Sequence, residues 1–250
     1  MYRLKKSLGQ HFLRDENICR KIIGALHQHP FHHLVEVGPG AGALTKYLLQ
    51  IDNVEFKAVE IDEEKVRLLL QEFPALQNKL IAGDFLEIEK PFKTKFTVVG
   101  NFPYNISSQI VFKIIDWKDD VECMVGMFQK EVAQRICSLP GSKIYGVISV
   151  LVQAFFEAEY LFEVSESSFI PPPKVKSAVI RLRPRVESIP CKDEKKLFHL
   201  VKTAFNQRRK TLRNAVKNLF DEEFLKDDIF NKRAEELSVE DFGILTFNMN

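Results

Sequence analysis

Short apolar runs that stop at glycine or a small polar residue, with helical spacing between them, constrain this chain more than any other feature. His33–Val37 runs into Gly38-Pro39-Gly40-Ala41-Gly42, and Phe56–Ile61 carries Glu60 at its end. Leu80–Ala82 leads into Gly83-Asp84-Phe85, and Thr97–Val99 into Gly100-Asn101-Phe102-Pro103-Tyr104; Cys123–Phe128 is a fifth run. Residues 14–29, 43–50, 63–71, 106–116 and 129–137 carry helical spacing between them. Strands that are apolar throughout, rather than alternating, are buried on both faces, and alternation with helices joins them in parallel. The expected fold is α/β, a mostly parallel Rossmann-like sheet.

The pattern then changes. Tyr145–Ala154 reads as one more helix, and Tyr160–Val164 and Ser177–Leu182 as strands able to pair antiparallel at a sheet edge. Between them Phe169–Lys174 is a proline-rich loop that cannot be helix. Arg183–Pro190, with two prolines and no periodicity, reads as a linker. Beyond it everything is helical, with Leu197, Leu200, Val201, Ala204 and Phe205 at i, i+3, i+4, i+7 and i+8. Two domains are expected, residues 1–185 and a small all-helical one over 190–250.

Composition excludes several classes. An apolar fraction of 45% and a charged fraction of 28% rule out wholesale disorder. No apolar run is long enough for a transmembrane helix, and Lys5 and Lys6 are followed by no apolar segment of the signal-peptide kind. The four cysteines (Cys19, Cys123, Cys137, Cys191) are scattered, so a reducing cytoplasm is expected and a disulfide framework is not. His27, His29, His32 and His33 straddle Pro30 with no carboxylate or cysteine nearby, so no metal is expected there. The formal net charge of +2 hides an asymmetry: residues 171–220 hold 14 Lys/Arg against 3 Asp/Glu, while 221–242 hold 3 against 9. A basic block in a near-neutral chain points to a polyanionic partner.

In an open parallel sheet, ligands bind beyond the carboxyl ends of the strands. Gly38-x-Gly40-x-x-Ala43 satisfies a relaxed dinucleotide fingerprint, and Glu60, 18 residues past Gly42, stands where a carboxylate can accept from two ribose hydroxyls. Both features suit a nicotinamide dinucleotide and S-adenosylmethionine alike. Asn101-Phe102-Pro103-Tyr104 separates the two, because hydride transfer has no use for it. The Asn101 side-chain oxygen and the Phe102 carbonyl can each accept one N–H of an exocyclic amine and turn its lone pair toward a methyl donor. Pro103 fixes the turn, and Tyr104 can stack on a base flipped out of its helix. Arg209, Arg213 and Lys217, at i, i+4 and i+8, form one basic stripe for phosphates, which would hold RNA without reading its sequence.

The chain resembles the ribosomal RNA adenine dimethyltransferases, most closely their small-subunit branch. The likeness is carried by Gly9-Gln10-His11-Phe12-Leu13, Glu36-Val37-Gly38-Pro39-Gly40-Ala41-Gly42, Gly83-Asp84 and Asn101-Phe102-Pro103-Tyr104. It continues through Gln129-Lys130-Glu131-Val132-Ala133-x-Arg135, Phe169-x-Pro171-x-Pro173-Lys174-Val175-x-Ser177 and Phe205-x-x-Arg208-Arg209-Lys210-Thr211-Leu212-Arg213-Asn214. The resemblance implies an S-adenosylmethionine-dependent methyltransferase sheet followed by a helical rRNA-binding domain. It implies that Gln10, His11 and Leu13 close over the cofactor; many members have Asn at the His11 position, so a backbone contact is expected there. It places Gly38, Gly40 and Gly42 beneath the methionine part, Glu60 on the ribose, and Asp84 on the adenine amine, with Phe85 and Asn101 completing the cofactor set. Asn101, Phe102, Pro103 and Tyr104 become the catalytic motif, with Phe169 sandwiching the target base against Tyr104. Arg208, Arg209, Lys210, Arg213 and Lys217 become RNA contacts.

The implied reaction converts two adjacent adenosines in the 3′-terminal hairpin loop of small-subunit rRNA to N6,N6-dimethyladenosine. The expected setting is a cytoplasmic monomer acting on an immature 30S particle, with no metal and no membrane, and with a further part in subunit biogenesis. Three other readings stand beside it: a large-subunit rRNA dimethyltransferase of the antibiotic-resistance type, a nicotinamide oxidoreductase, and a non-catalytic ribosome assembly factor.

Overall fold

The computed structural model describes residues 11–250, so Gln10 lies outside the described residues. A two-residue strand, β1 (Phe12–Leu13), comes first. The helices that follow begin where short polar side chains can cap them. Asp15 accepts from the backbone N–H groups of Asn17 and Ile18 and starts α1 (Glu16–Leu26). After it come β2 (His33–Val37), the short helix α2 (Thr45–Leu48) and β3 (Glu55–Glu60). Asp62 accepts from Glu64 N–H and starts α3 (Glu63–Glu72). Then follow β4 (Leu80–Ala82), β5 (Phe96–Asn101), α4 (Ser107–Asp116), β6 (Val121–Gln129), α5 (Lys130–Ile136) and α6 (Val147–Gln153). Three strands complete the set: β7 (Phe156–Val164), β8 (Phe169–Ile170) and β9 (Ser177–Pro184).

Seven of these strands form one sheet in the order β4-β3-β2-β5-β6-β9-β7. The first five run parallel, and β9 is antiparallel to β6. This is the mostly parallel α/β sheet with an antiparallel edge that the apolar runs imply. The chain moves outward from β2 through β3 to β4, then returns to β5 on the other side of β2. The switch point therefore lies between β2 and β5, where a crevice opens at the carboxyl ends.

The two shortest strands are not legible in the sequence. β1 and β8 form a separate antiparallel pair, Phe12 opposite Ile170 and Leu13 opposite Phe169. The proline-rich loop thus begins as a strand. Side chains on a strand alternate between faces. Phe169 points into the core at 1% exposure, and Ile170 points outward at 50%.

The helical end consists of α7 (Glu194–Phe205), α8 (Leu212–Val216) and α9 (Val239–Leu245), with single 3₁₀ turns around them. Asp193 caps α7 through Lys196 N–H, and its five apolar positions Leu197, Leu200, Val201, Ala204 and Phe205 are all buried, as the spacing predicts. The chain divides into two compact units, Met1–Ala133 with Glu159–Pro184, and Gln134–Ala158 with Arg185–Asn250. The last crossing falls near the start of the expected linker. Residues 134–158, which the sequence groups with the sheet, instead join the helical unit. Tyr145 is fully buried there and meets Phe205 edge-on, 6.1 Å between ring centroids. Among the described residues, no helix is long and apolar enough to cross a membrane.

One packing contact in the sheet fixes the strand end that matters most. The Phe102 ring, 1% exposed, lies across β5 and β6 and meets Phe128 edge-on at 5.1 Å. A Cβ at Gly126 would stand 2.2 Å from this ring, and one at Gly100 2.7 Å from it and 2.6 Å from the Val37 carbonyl oxygen. Glycine at these two positions is what makes room for Phe102. Gly126→Ala should therefore lower stability by about 1–3 kcal/mol, the usual cost of overpacking. Chemical denaturation should show a lower midpoint at unchanged slope.

Candidate active site

The crevice at the switch point is lined by the four strand ends singled out in the sequence: residues 36–41 with Ala43 and Leu44, Val59–Ile61, Gly83–Phe85 and Asn101–Ile106, together with Lys65 of α3, His11, and Phe12 and Leu13 of β1. Gly38, Gly40 and Gly42 all have positive φ (67°, 61° and 80°). Glycine, lacking a Cβ, adopts that conformation most readily. At Gly42 a Cβ would also stand 2.3 Å from the Phe73 ring. The loop therefore turns sharply and presents backbone, not side chain, to the crevice.

Two carboxylates stand at its floor. Glu60, 4% exposed, accepts from Gly40 N–H at 3.3 Å and Asp62 N–H at 3.1 Å, with Lys65 Nζ 3.8 Å away. Lys65 also lies 5.5 Å from the centre of the Phe12 ring. Its sequence position on α3 reads as an ordinary solvated lysine, yet it is buried. Glu60 thus ties the glycine loop to the end of β3, and as a carboxylate lining the crevice it fits a vicinal diol. Asp84 accepts from Leu86 N–H through Oδ1 at 2.9 Å. Beside it Phe85 is packed edge-on against Trp117 at 5.2 Å.

Glu36 is the second floor carboxylate, 2% exposed and accepting from Thr45 Oγ1 at 2.7 Å. Burial pushes its pKa up to about 8; the Thr45 hydroxyl opposes that rise and the neighbouring Glu60 charge adds to it. Sequence reading misses this pair, because Glu36 looks like an ordinary strand residue.

At the end of β5, Asn101 Nδ2 donates to the His11 carbonyl at 3.2 Å. That bond orients the amide, so Oδ1 is the atom left to accept. The Phe102 side chain is buried in the sheet, so its contribution to the crevice is its backbone carbonyl. Pro103 O accepts from Ile106 N–H at 3.2 Å and closes the turn into α4. The Tyr104 hydroxyl is 2.5 Å from Ser177 Oγ, and burial raises its pKa, which keeps the phenol neutral. The Tyr104 ring lies 5.6 Å from the His11 ring, tilted by 30°.

The structure therefore lines the crevice with His11, Leu13, Gly38, Gly40, Glu60, Asp84, Phe85 and Asn101–Tyr104, while Gly42 shapes the loop from behind, against Phe73. Phe169 does not line the crevice, although it sits opposite Leu13 across β1 and β8. That side chain packs in the core with Leu13, Val164 and Val179, because the alternation of β8 turns it inward. The crevice fits S-adenosylmethionine by its donor set: bare backbone at the glycine loop, a carboxylate at Glu60 and another at Asp84.

The basic residues form no single helical stripe. α7 ends at Phe205 and α8 starts only at Leu212, so Arg209 lies in the turn between them and Lys217 beyond α8. Arg208 donates to the carbonyls of Lys143 and Tyr145, each at 3.0 Å, and Arg213 Nε donates to Leu225 O at 2.8 Å. Arg209, Lys210 and Lys217 are exposed.

Residues 1–246 match the family described as ribosomal RNA adenine dimethylase. Similar proteins include ribosomal RNA small subunit methyltransferase A of Flavobacterium johnsoniae, 52% identical over 247 residues that cover 97% of this chain and 94% of that protein. The protein of that name in Bacteroides thetaiotaomicron is 50% identical over 248 residues, covering 97% and 92%. Among solved structures, a dimethyladenosine transferase from Plasmodium falciparum superposes with a TM-score of 0.79 at 27% identity, covering 93% of this chain and 94% of that one. The 23S rRNA methyltransferase ErmE shares the fold, with a TM-score of 0.71 at 24% identity over 93% and 99%.

The raised Glu36 pKa has a thermodynamic consequence. A carboxyl whose folded pKa exceeds its unfolded value makes stability fall as pH rises through the interval between them, here from the ordinary carboxylate range near 4.5 to about 8. Glu36→Gln, which removes the ionisation, should flatten the decline of the ligand-free protein's melting temperature between those limits. Thermal scans across pH measure this, and a variant with the wild-type slope would assign the decline elsewhere.

Proposed function

Because the chain belongs to the ribosomal RNA adenine dimethylase family, we propose that it transfers methyl groups to N6 of two adjacent adenosines in the 3′-terminal hairpin loop of small-subunit rRNA, giving N6,N6-dimethyladenosine. The observation that carries this is the orientation of Asn101. Its Nδ2 is engaged by the His11 carbonyl, so Oδ1 and the Phe102 carbonyl form the acceptor pair that an exocyclic amine requires.

The glycine loop, Glu60, Asp84 and Phe85 would hold S-adenosylmethionine, with His11 and Leu13 covering it. When bound, that cofactor supplies a methyl group already activated on a sulfonium. The residues of the chain position and desolvate. Asn101 Oδ1 and the Phe102 carbonyl take the two amine hydrogens and so localise the nitrogen lone pair. Tyr104 stacks on the flipped base, its hydroxyl held by Ser177. Held this way, the lone pair faces the place where the donor's methyl would lie, and the proton shed by the alkylated nitrogen would pass to water. Orientation of this kind can supply about 7–11 kcal/mol of a barrier. The second methylation needs the monomethylated amine to rotate and still fit.

The sheet unit is the catalytic domain and the helical unit the rRNA-binding one. Arg209, Lys210 and Lys217 serve as phosphate contacts, while Arg208 and Arg213 first shape the surface through their carbonyl bonds. The substrate is an immature 30S particle, the enzyme acts as a cytoplasmic monomer, and binding itself contributes to subunit assembly. Identities near 50% with small-subunit enzymes over nearly the whole chain favour this substrate over large-subunit rRNA, since the likeness to the 23S enzyme extends to the fold alone.

Labelled S-adenosylmethionine with unmethylated small subunits tests the reading. The wild type should label N6 of adenosine. Asn101→Ala and Tyr104→Ala should lose roughly a hundredfold or more in turnover, while Asn101→Ala still binds pre-ribosomal particles. Label on cytosine, or equal labelling by both variants, would refute it. Replacing Arg209, Lys210 and Lys217 together by Ala should weaken rRNA binding. The slope of log K against log salt should become shallower by roughly 0.7–0.9 for each phosphate no longer neutralised; filter binding over a salt series reads this directly.

A further inference from the structure

One buried cation in the crevice wall has no part in the chemistry just described. Lys65 is 8% exposed and lines the crevice together with Glu60. It is the third residue of α3, directly behind the Asp62 cap. Two general effects oppose a lysine there. The first turn of a helix carries the positive end of the helix dipole, which disfavours a cation, and burial strips the ammonium of water. A leucine or methionine in the same place would suffer neither. Residues that break local rules in this way concentrate at sites of function.

The surroundings of the ammonium show what it can serve. Nζ is 3.8 Å from Glu60 Oε2, the separation of an ion pair rather than of a hydrogen bond. Glu60 is itself held by two backbone donors, Gly40 N–H on Oε2 at 3.3 Å and Asp62 N–H on Oε1 at 3.1 Å. Nζ also lies 5.5 Å from the centre of the Phe12 ring, within the range of a cation–π contact. That ring in turn stands over the glycine loop, where a Cβ at Gly40 would come within 3.4 Å of it. Lys65, Glu60, Phe12 and Gly40 thus close one wall of the crevice, the wall at which Glu60 fits a vicinal diol.

A vicinal diol has two hydrogens to give and lone pairs on both oxygens. A carboxylate only accepts, and an ammonium only donates. Glu60 alone would satisfy the hydrogens and leave the oxygens without a donor, in a crevice that the ligand itself empties of water. Buried acceptors of this kind require partners, and the ammonium next to Glu60 supplies the missing half. We propose that Lys65 is a further cofactor-binding residue, which donates to an oxygen of the ribose diol whose hydrogens Glu60 accepts. Phe12 packs on it as part of the cover over the same ligand.

This role rests on reading the crevice as the S-adenosylmethionine site, and the test separates the two. S-adenosylhomocysteine and its 2′-deoxy and 3′-deoxy forms are titrated by calorimetry into the wild type, Lys65→Met and Lys65→Leu. Melting temperatures of the ligand-free proteins confirm folding. Both variants lack a donor but differ in shape, so either one carries the test. S-adenosylhomocysteine should bind each of them about tenfold more weakly than the wild type, the usual weight of a hydrogen bond to a charged group. For one of the two deoxy forms the difference between wild type and variant should shrink to less than about threefold, because the oxygen that Lys65 serves is gone. Unchanged affinity for S-adenosylhomocysteine in the variants, or an equal loss for the parent ligand and both deoxy forms, would overturn the role of Lys65. A wild type that binds no S-adenosylhomocysteine would overturn the reading of the crevice itself, and the ribose contact with it.

Discussion

The Phe102 ring lying over two glycines is the contact on which the site depends. It anchors the residue between Asn101 and Pro103 in the sheet at the start of the turn after β5. With that ring buried, Asn101, the Phe102 backbone, Pro103 and Tyr104 all line one crevice. Two neighbouring strands each forgo a side chain so that a third residue can be fixed. Residues that carry chemistry are more accurately held by strands than by free loops, and here the loop is held by the strands beneath it.

Around that anchor the crevice is assembled by buried polar groups that hold each other. Glu60 accepts from the glycine loop and from the start of α3, so the loop whose φ values demand glycine is also tied down by a charge. Glu36 and Thr45 form a second buried pair beneath it. A buried carboxyl costs less when neutral, and the neutral state of Glu36 spares the floor of the crevice a second negative charge beside Glu60.

Much of this is legible in the sequence because the physics is local. A strand buried on both faces must be an apolar run, a left-handed turn favours glycine, and ligands gather at strand ends; Gly38, Glu60, Asp84 and Asn101 follow from those three rules. What is not legible depends on partners distant in the chain. β1 and β8 are two residues long, too short to show a period, so nothing local reveals that Phe169 faces inward. The break between Phe205 and Leu212 interrupts a basic spacing that looks continuous on paper. Residues 134–158 join the helical unit because Tyr145 and its neighbours find their apolar partners there, which no window of sequence displays. The burial of Lys65 and the contact of Ser177 with Tyr104 escape notice for the same reason.

The pairing of β1 with β8 has a consequence for exchange of bound molecules. Each strand contributes two residues, and they belong to a sheet of their own rather than to the seven-stranded one. Separating them leaves every ladder of the larger sheet intact, but it gives up the core packing of Leu13 and Phe169 along with a few backbone bonds. Free energies of local opening scale with what must be given up, so it is these two anchored side chains, more than the few backbone bonds between the strands, that set how readily the pair can part.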